Sequence, residues 1–197
     1  YAFGEREVVE SKLSNGIPVY IVKNTNNQID SICIGVKGGT SFYTKETSGI
    51  ENVVFNMMLT GSASYSKADK QNLIYATNSR FRGASIRQGS VLSLVCIEDY
   101  IKEALPYLLD GFVNPTFDKK EYETIINEYQ YEIQNVLNDP GSMALYYAKQ
   151  VLYNGHPYEV TSGVTSESIS NITLDAVKSY HSHLMNSKRI FVVAVNL

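Results

Sequence analysis

The stretch "GIENVVFNMMLTGS", residues 49–62, has the hydrophobic spacing of a helix with one buried face. Its apolar residues recur every three or four positions, at Ile50, Val53, Val54, Met57 and Met58. Two asparagines, Asn52 and Asn56, lie one turn apart, and the stretch has no His, Cys or Asp. We therefore predict a packed helix over 49–60 that offers no His, Cys or Asp to a metal ion.

Composition narrows the class of protein. The chain has 197 residues, of which 44% are hydrophobic, enough to bury the core of one sizeable domain. Its net charge of -3 comes from mixed signs without a block of Lys and Arg, which argues against nucleic acid or an anionic membrane surface as the main partner. No apolar run approaches the roughly 18 residues of a membrane-spanning segment.

The order of the predicted elements indicates the fold class. Strands are predicted at 6–13, 17–24, 30–39 and 188–197, and the run 81–97 is predicted as two strands or as one strand with a bend at Gly89. Helices are predicted at 49–60, 66–79, 98–115, 118–137, 142–153 and 173–185. Ser66 and Thr173 are predicted N-caps, and Pro106 is a predicted kink. This order is typical of an α+β fold, here an antiparallel-rich sheet with helices packed on one face. It does not fit a doubly wound nucleotide-binding fold, and no glycine-rich phosphate loop is present.

The two cysteines, Cys33 and Cys96, lie in the apolar strand-like runs "SICIGV" and "VLSLVCI". Two buried, small hydrophobic side chains are the favoured interpretation. A single disulfide remains open for an exported protein, because sequence alone does not pair cysteines.

Four further stretches carry a resemblance to a known family. They are "LSNGIPVYIV" at 13–22, "GVKGGT" at 35–40, "YEIQNVLNDP" at 131–140, and the long run from "NGHPYEV" at 154 to "FVVAVN" at 196. In this order, and with residues 49–62, they resemble one domain of the pitrilysin/insulinase family of zinc peptidases, which includes the mitochondrial processing peptidases. The resemblance implies that residues 1–197 form one clamshell-half domain of the processing-peptidase-like metallohydrolase fold, the N-terminal domain of a longer chain.

The family's activity depends on the inverted zinc motif H-x-x-E-H. With Gly49 and Gly61 fixing the register, the resemblance places the first His position on Asn52, the general base on Phe55 and the second His position on Asn56. The distant Glu ligand of the family falls on Glu132. These are interpreted as vestigial positions, so no cofactor is expected here, whereas active relatives bind zinc.

A second departure lies in "RGASIRQGSVLSLV", which resembles the strand beside the bound peptide in active relatives. Ala84, Ser85, Ile86 and Arg87 are therefore candidate peptide contacts. Only Ala84 clearly keeps the family's polar pattern.

Other candidate side chains receive mainly structural interpretations. Packing in the core and at its rim is favoured for Tyr146, Tyr147, Tyr153 and Tyr158, with a peptide-contacting surface as the alternative. His156, in the "GHPY" turn, is predicted to hydrogen-bond locally. The two remaining histidines, His181 and His183, point in different directions on one helix and are predicted to be solvated at the surface.

Two functions follow from the resemblance. The first is a non-catalytic homologue that serves as a structural or peptide-binding partner of an active peptidase half. The alternative is a part of a zinc metalloendopeptidase whose catalytic site lies in another domain or subunit. Both predict a second domain or subunit of the same fold as partner. The expected location is bacterial and extracytoplasmic, either periplasmic or secreted, with a mitochondrial location as the alternative.

Overall fold

The computed structural model describes residues 7–24 and 27–196. The first residue of the predicted strand 6–13 and the last residue of the predicted strand 188–197 lie outside this description. The strands are β1 (Val8–Lys12), β2 (Pro18–Val22), β3 (Ile29–Lys37), β4 (Arg80–Ile86), β5 (Gly89–Ile97) and β6 (Ile190–Val195). The α-helices are α1 (Ile50–Met57), α2 (Lys67–Thr77), α3 (Ile101–Val113), α4 (Lys119–Asn138), α5 (Pro140–Leu152) and α6 (Leu174–Met185).

The six strands form one sheet in the order β1-β2-β6-β3-β5-β4. Only β2 and β6 are parallel neighbours, and the other adjacent pairs are antiparallel. The predicted α+β fold with an antiparallel-rich sheet is confirmed. Strand β4 lies at one edge of this sheet, with β5 as its neighbour.

The two faces of the sheet differ in burial. Side chains on successive residues of a strand point to opposite faces. On β5, Leu92 and Leu94 are fully buried under the helices, whereas Val91, Val95 and Ile97 are 36–43% exposed on the other face. The helices therefore pack on one face, as predicted, and the opposite face carries exposed apolar side chains.

Helices α2 and α6 begin at the predicted N-caps, Ser66 and Thr173. Ser66 Oγ accepts a hydrogen bond of 3.1 Å from Asp69 N, and Asp69 Oδ2 accepts one of 2.8 Å from Ser66 N, which completes a capping box. Thr173 Oγ1 accepts 3.2 Å from Ala176 N at the start of α6. Helix α3 continues through Pro106.

Both cysteines are free thiols. Cys96 is 4% exposed on the helix-covered face, which confirms its predicted burial. Cys33 lies on the other face and is only half-buried, so its predicted burial is wrong in degree. Burial nevertheless raises the pKa of both thiols. None of the helices within 7–24 and 27–196 has the length and apolarity that crossing a membrane requires.

Two glycines let helix α1 lie close to its neighbours. Gly49, just before the helix, has φ 82°, and a Cβ there would lie 2.4 Å from Val164 N. On the sheet side, a Cβ at Gly83 of β4 would lie 3.2 Å from the carbonyl oxygen of Phe55. Any larger residue at Gly83 would therefore push α1 away from the edge strand.

A buried ion pair fixes the rotation of α1. Glu51 has 0% exposure, and its Oε1 accepts 2.8 Å from Arg189 Nη2 and 3.1 Å from Tyr180 OH. Its Oε2 accepts 2.6 Å from Ser90 Oγ. The carboxylate thus joins α1 to β5, to α6 and to the segment before β6. Sequence reasoning did not single out Glu51.

His181 corrects a prediction. Its side chain is 7% exposed, its Nε2 donates 2.8 Å to the carbonyl oxygen of Phe112, and its ring meets Phe117 edge-on at 5.3 Å between centroids. Surface solvation is therefore wrong for His181, because α6 turns this residue into the core. His183 is exposed and bonds to Ser179 O of its own helix at 2.7 Å.

Replacing Arg189 with Met should lower the free energy of unfolding by about 3–5 kcal/mol, because the carboxylate of Glu51 would stay buried without its cation. Adding Glu51→Gln should recover part of this loss. Urea unfolding followed by circular dichroism measures both effects. The matched control is Lys119→Met, since Lys119 lies 3.7 Å from Glu123 in an exposed pair and should change stability little. Equal losses for the Arg189 and Lys119 variants would contradict the role of the buried pair.

The protein should also lose stability as the pH falls below about 6.5. Burial lowers the pKa of His181 in the folded chain, so the unfolded chain binds this proton at a higher pH than the folded chain does. Stability is then complete above the unfolded pKa and declines through the window between the two values. His181→Gln should remove this part of the slope in unfolding experiments across pH, whereas His183→Gln should keep it. An unchanged slope in His181→Gln would show that another group causes the decline.

Candidate functional site

Helix α1 presents two adjacent rows of side chains to its surroundings. Asn52 and Asn56 form one row and are half-buried. Glu51 and Phe55, also one turn apart, form the neighbouring row, and both have 0% exposure. The predicted base position, Phe55, therefore lies inside the core.

The amide of Asn56 is bound by a tyrosine of helix α4. Asn56 Nδ2 donates a 2.7 Å hydrogen bond to Tyr129 OH. Burial, together with the negative charge of Glu132, raises the pKa of Tyr129 to about 12, so its phenol stays neutral at ordinary pH. A neutral amide and a neutral phenol thus meet where α1 and α4 pack.

The carboxylate of Glu132 lies apart from this pair. Within the described part of the chain, Glu132 is exposed and makes no hydrogen bond to Asn52 or Asn56. Its effect on the pKa of Tyr129 places its charge on the same side of α4. The structure therefore brings Asn56 and Tyr129 together and leaves Glu132 beside them. Sequence reasoning missed Tyr129, although its position three residues before Glu132 puts it on the same helix face.

These side chains do not fit a zinc ion. Zinc sites in proteins are built from thiolates, imidazoles and carboxylates. Asn52, Asn56 and Tyr129 supply only neutral oxygen and nitrogen groups, and Glu132 supplies the single carboxylate. No group of three or more His, Cys, Asp or Glu able to hold a metal occurs within residues 7–24 and 27–196.

The predicted peptide-contacting strand is the edge strand β4. Ala84 is exposed, Ile86 is 61% exposed, and Ser85 is half-buried with its Oγ 2.8 Å from Ser90 Oγ. Since β4 pairs with β5 along one side, its other side presents backbone groups without a strand partner among the described residues. Arg87 lies outside the strand, because β4 ends at Ile86 and Arg87 and Gln88 form the two-residue turn to β5.

Two tyrosines hold this turn. The guanidinium carbon of Arg87 lies 5.4 Å from the ring centroid of Tyr153 and 5.7 Å from that of Tyr158. Gln88 Nε2 donates 2.9 Å to Tyr158 OH. The predicted local bond of His156 is confirmed, since its Nδ1 accepts 3.1 Å from Tyr158 N. Core or rim packing is wrong for Tyr146 and Tyr147, which are 43% and 60% exposed on α5.

A cavity of about 570 Å³ opens beside the turn. Its walls come from Arg87, the second half of α4, helix α5 and the segment 158–166. The apolar part of the wall consists of Ile133, Val136, Leu137, Met143, Leu145, Tyr146, Tyr147 and Val164, and the charged part of Arg87, Glu132, Lys149 and Glu159. Arg87, the residue that directly follows β4, is where the edge strand meets the wall of this cavity.

The solved structures that share this fold include an inactive peptidase domain and pitrilysin. A crystal structure described as a peptidase M16 inactive domain from Pseudomonas fluorescens has a TM-score of 0.84 and 21% sequence identity, covering 97% of this chain and 47% of that chain. The crystal structure of pitrilysin has a TM-score of 0.80 and 20% identity, covering 100% of this chain and 22% of that chain. This chain therefore spans less than half the length of either protein.

Sequence comparison gives the family. A comparison with curated protein sequences found no match. The sequence profile described as insulinase, peptidase family M16, matches residues 19–161, which is more than half of the chain and includes α1, β4 and α4. Together with the fold, this match shows that the chain belongs to the insulinase family of peptidases, family M16.

Proposed function

We propose that this chain is a non-catalytic member of its family that binds extended peptides and works beside a second domain of the same fold. The observation that carries the proposal is the state of helix α1. The residues that the resemblance places at the family's metal and base positions are Asn52, Phe55 and Asn56, of which Phe55 is wholly buried and Asn56 is bonded to Tyr129.

The chemistry of family peptidases requires a metal and a base that this arrangement does not supply. Active relatives hold zinc with two His and a Glu and use a second Glu to take a proton from the bound water. A carboxamide is a weak ligand for Zn²⁺, and the phenyl ring of Phe55 accepts no proton. Glu132 alone does not make a site.

Peptide binding is supported by the free edge of β4. An extended peptide can add to a sheet edge through backbone hydrogen bonds, and pockets beside the edge then select side chains. Ala84 and Ile86 expose small and apolar side chains along β4, and the 570 Å³ cavity begins where the strand ends.

A second domain is supported by the uncovered face of the sheet. Ile29, Val91, Val95 and Ile97 are each at least 36% exposed there. Stable interfaces bury about 1,600 Å² in total and are apolar at their centre. The inactive peptidase domain and pitrilysin, which share this fold, both belong to chains more than twice as long as this one.

The peptide proposal is tested with a seven-residue peptide, the length of β4, made of alternating Val and Thr around one central Trp. The protein contains no Trp, so the peptide's fluorescence reports binding without background. Alternate backbone N–H groups of a paired strand point toward its neighbour. Methylating one alternate set of peptide nitrogens should therefore weaken binding by roughly tenfold or more, and methylating the other set should change it little. Mass spectrometry should recover the peptide intact.

Two results would contradict this proposal. Equal effects of the two methylated sets would show that the peptide does not pair with a strand edge. Cleavage of the peptide by the purified chain would show that the chain is catalytic.

A further inference from the structure

We propose that Arg87 forms a subsite for a carboxylate of the bound peptide, so that the protein prefers peptides with an acidic group at this position. The inference rests on the proposed peptide-binding function and adds the chemical class of ligand. The inference depends on three features of Arg87. Its backbone is fixed by hydrogen bonds, its guanidinium lies against two tyrosine rings, and it has no acidic partner among the described residues.

The backbone at Arg87 is fixed by the segment after β3. The carbonyl oxygen of Arg87 accepts hydrogen bonds from Thr40 N at 2.9 Å and from Thr40 Oγ1 at 3.2 Å. Gly38 N donates 2.8 Å to the carbonyl oxygen of Gln88. Gly39 lies so close that a Cβ there would be 2.4 Å from Arg87 O. Hairpin turns are ordinarily exposed, but the backbone of this turn is held in place by the hydrogen bonds from Gly38 and Thr40.

The guanidinium of Arg87 is held by rings and not by acids. It lies against Tyr153 and Tyr158, whose centroids are 5.9 Å apart and whose planes meet at 78°. Such contacts stabilise a cation while leaving its N–H groups free to donate. No ion pair of Arg87 occurs in the described ranges, and its Nε is buried without a hydrogen-bond partner. Because Nε is buried and Arg87 lines the cavity, the terminal Nη groups are the donors available to a ligand there.

The charges around the cavity favour a carboxylate over a more highly charged anion. Lys45 pairs with Glu159, which removes one of the two acidic groups in the wall. Lys149 adds a second cation, and Glu132, which has no ion pair within residues 7–24 and 27–196, supplies a carboxylate on the α4 side. A singly charged carboxylate matches the planar donor pair of Arg87, whereas a doubly charged phosphate would meet stronger repulsion from Glu132.

The position of Arg87 connects this subsite to the peptide path. Arg87 follows Ile86 directly, and Ile86 is the last residue of the edge strand. A peptide paired along β4 therefore places the side chain or chain terminus just beyond the strand next to Arg87. An Asp or Glu side chain and the peptide's own C-terminus present the same chemical group, and the experiment below distinguishes these two sources.

The experiment measures the affinity of four forms of the Trp-containing peptide. Its last residue is Glu or Gln, and its C-terminus is free or amidated. A form with a carboxylate should bind roughly tenfold or more tightly than the form with Gln and an amide. If the Glu-amide form binds more tightly than the Gln-amide form, the site takes a side-chain carboxylate. If the Gln-acid form does so, the site takes the carboxylate of the C-terminus.

Variants assign the preference to Arg87. Arg87→Gln should abolish the difference between acidic and neutral peptides, and Arg87→Lys should keep a smaller difference, because lysine retains the charge but not the planar pair of donors. Arg80→Gln, the same change at the other end of β4, should leave the difference intact. The ratio of the affinities for acidic and neutral peptides is measured within each variant, so a variant that binds all peptides more weakly is not mistaken for one that has lost the acidic preference.

The outcomes separate the two proposals. Binding of all four peptides with equal affinity overturns the carboxylate subsite and leaves the peptide-binding function standing. An acidic preference that survives Arg87→Gln also overturns the subsite. Binding of none of the four peptides overturns both proposals.

Discussion

The buried ion pair of Glu51 and Arg189 is the constraint on which the arrangement of helix α1 depends. Two charges inside a protein are tolerated only when their hydrogen-bonding groups are satisfied, and Glu51 meets this condition through Arg189, Tyr180 and Ser90. These partners lie on different elements, so α1 has one rotation that satisfies them all. In that rotation Glu51 and Phe55 face the core, and the row of Asn52 and Asn56 is half-buried beside α4.

In helix α1, the charged residue Glu51 is therefore used in packing the core, and the neighbouring polar row of Asn52 and Asn56 is uncharged. Asn56 bonds to Tyr129, and the raised pKa of that phenol keeps the pair uncharged. A neutral pair joins α1 to α4 without a metal, and it offers no group that could activate water. A cation without an ion pair in the described ranges, Arg87, lies where the edge strand meets the cavity. The peptide binding that we propose is therefore centred on the end of β4 and not on α1.

Sequence reasoning predicted those parts of the fold that local pattern controls. The spacing of Val53, Val54 and Met57 predicted α1, and the caps Ser66 and Thr173 predicted the starts of α2 and α6. These signals lie within a few residues of the element that they describe. The end of α1 was predicted less accurately, because the helix was predicted to run to residue 60 and ends at Met57 in the structure.

The missed features depend on contacts between distant parts of the chain. Glu51 is a charged residue in a buried row, and its partner Arg189 lies 138 residues away. The burial of His181 depends on the Phe112 carbonyl, 69 residues away. The bond between Asn56 and Tyr129 was also missed, because the family resemblance points to the expected ligand position at Glu132 and gives no signal for the tyrosine, which lies 73 residues from Asn56. Arg87 was placed in a strand, and its contacts with Tyr153 and Tyr158 come from a segment more than sixty residues later.

The most direct measurement of the central claim, that α1 keeps its structural role without a metal role, is a calorimetric zinc titration of the chelator-treated chain. The native chain should show no stoichiometric site, because Asn52, Asn56 and Tyr129 are neutral and Glu132 stands alone. The double variant Asn52→His with Asn56→His should gain affinity through two imidazoles one turn apart, and adding Glu132→Gln should weaken it. Binding of about one zinc ion per native chain, lost in Glu132→Gln alone, would contradict the account.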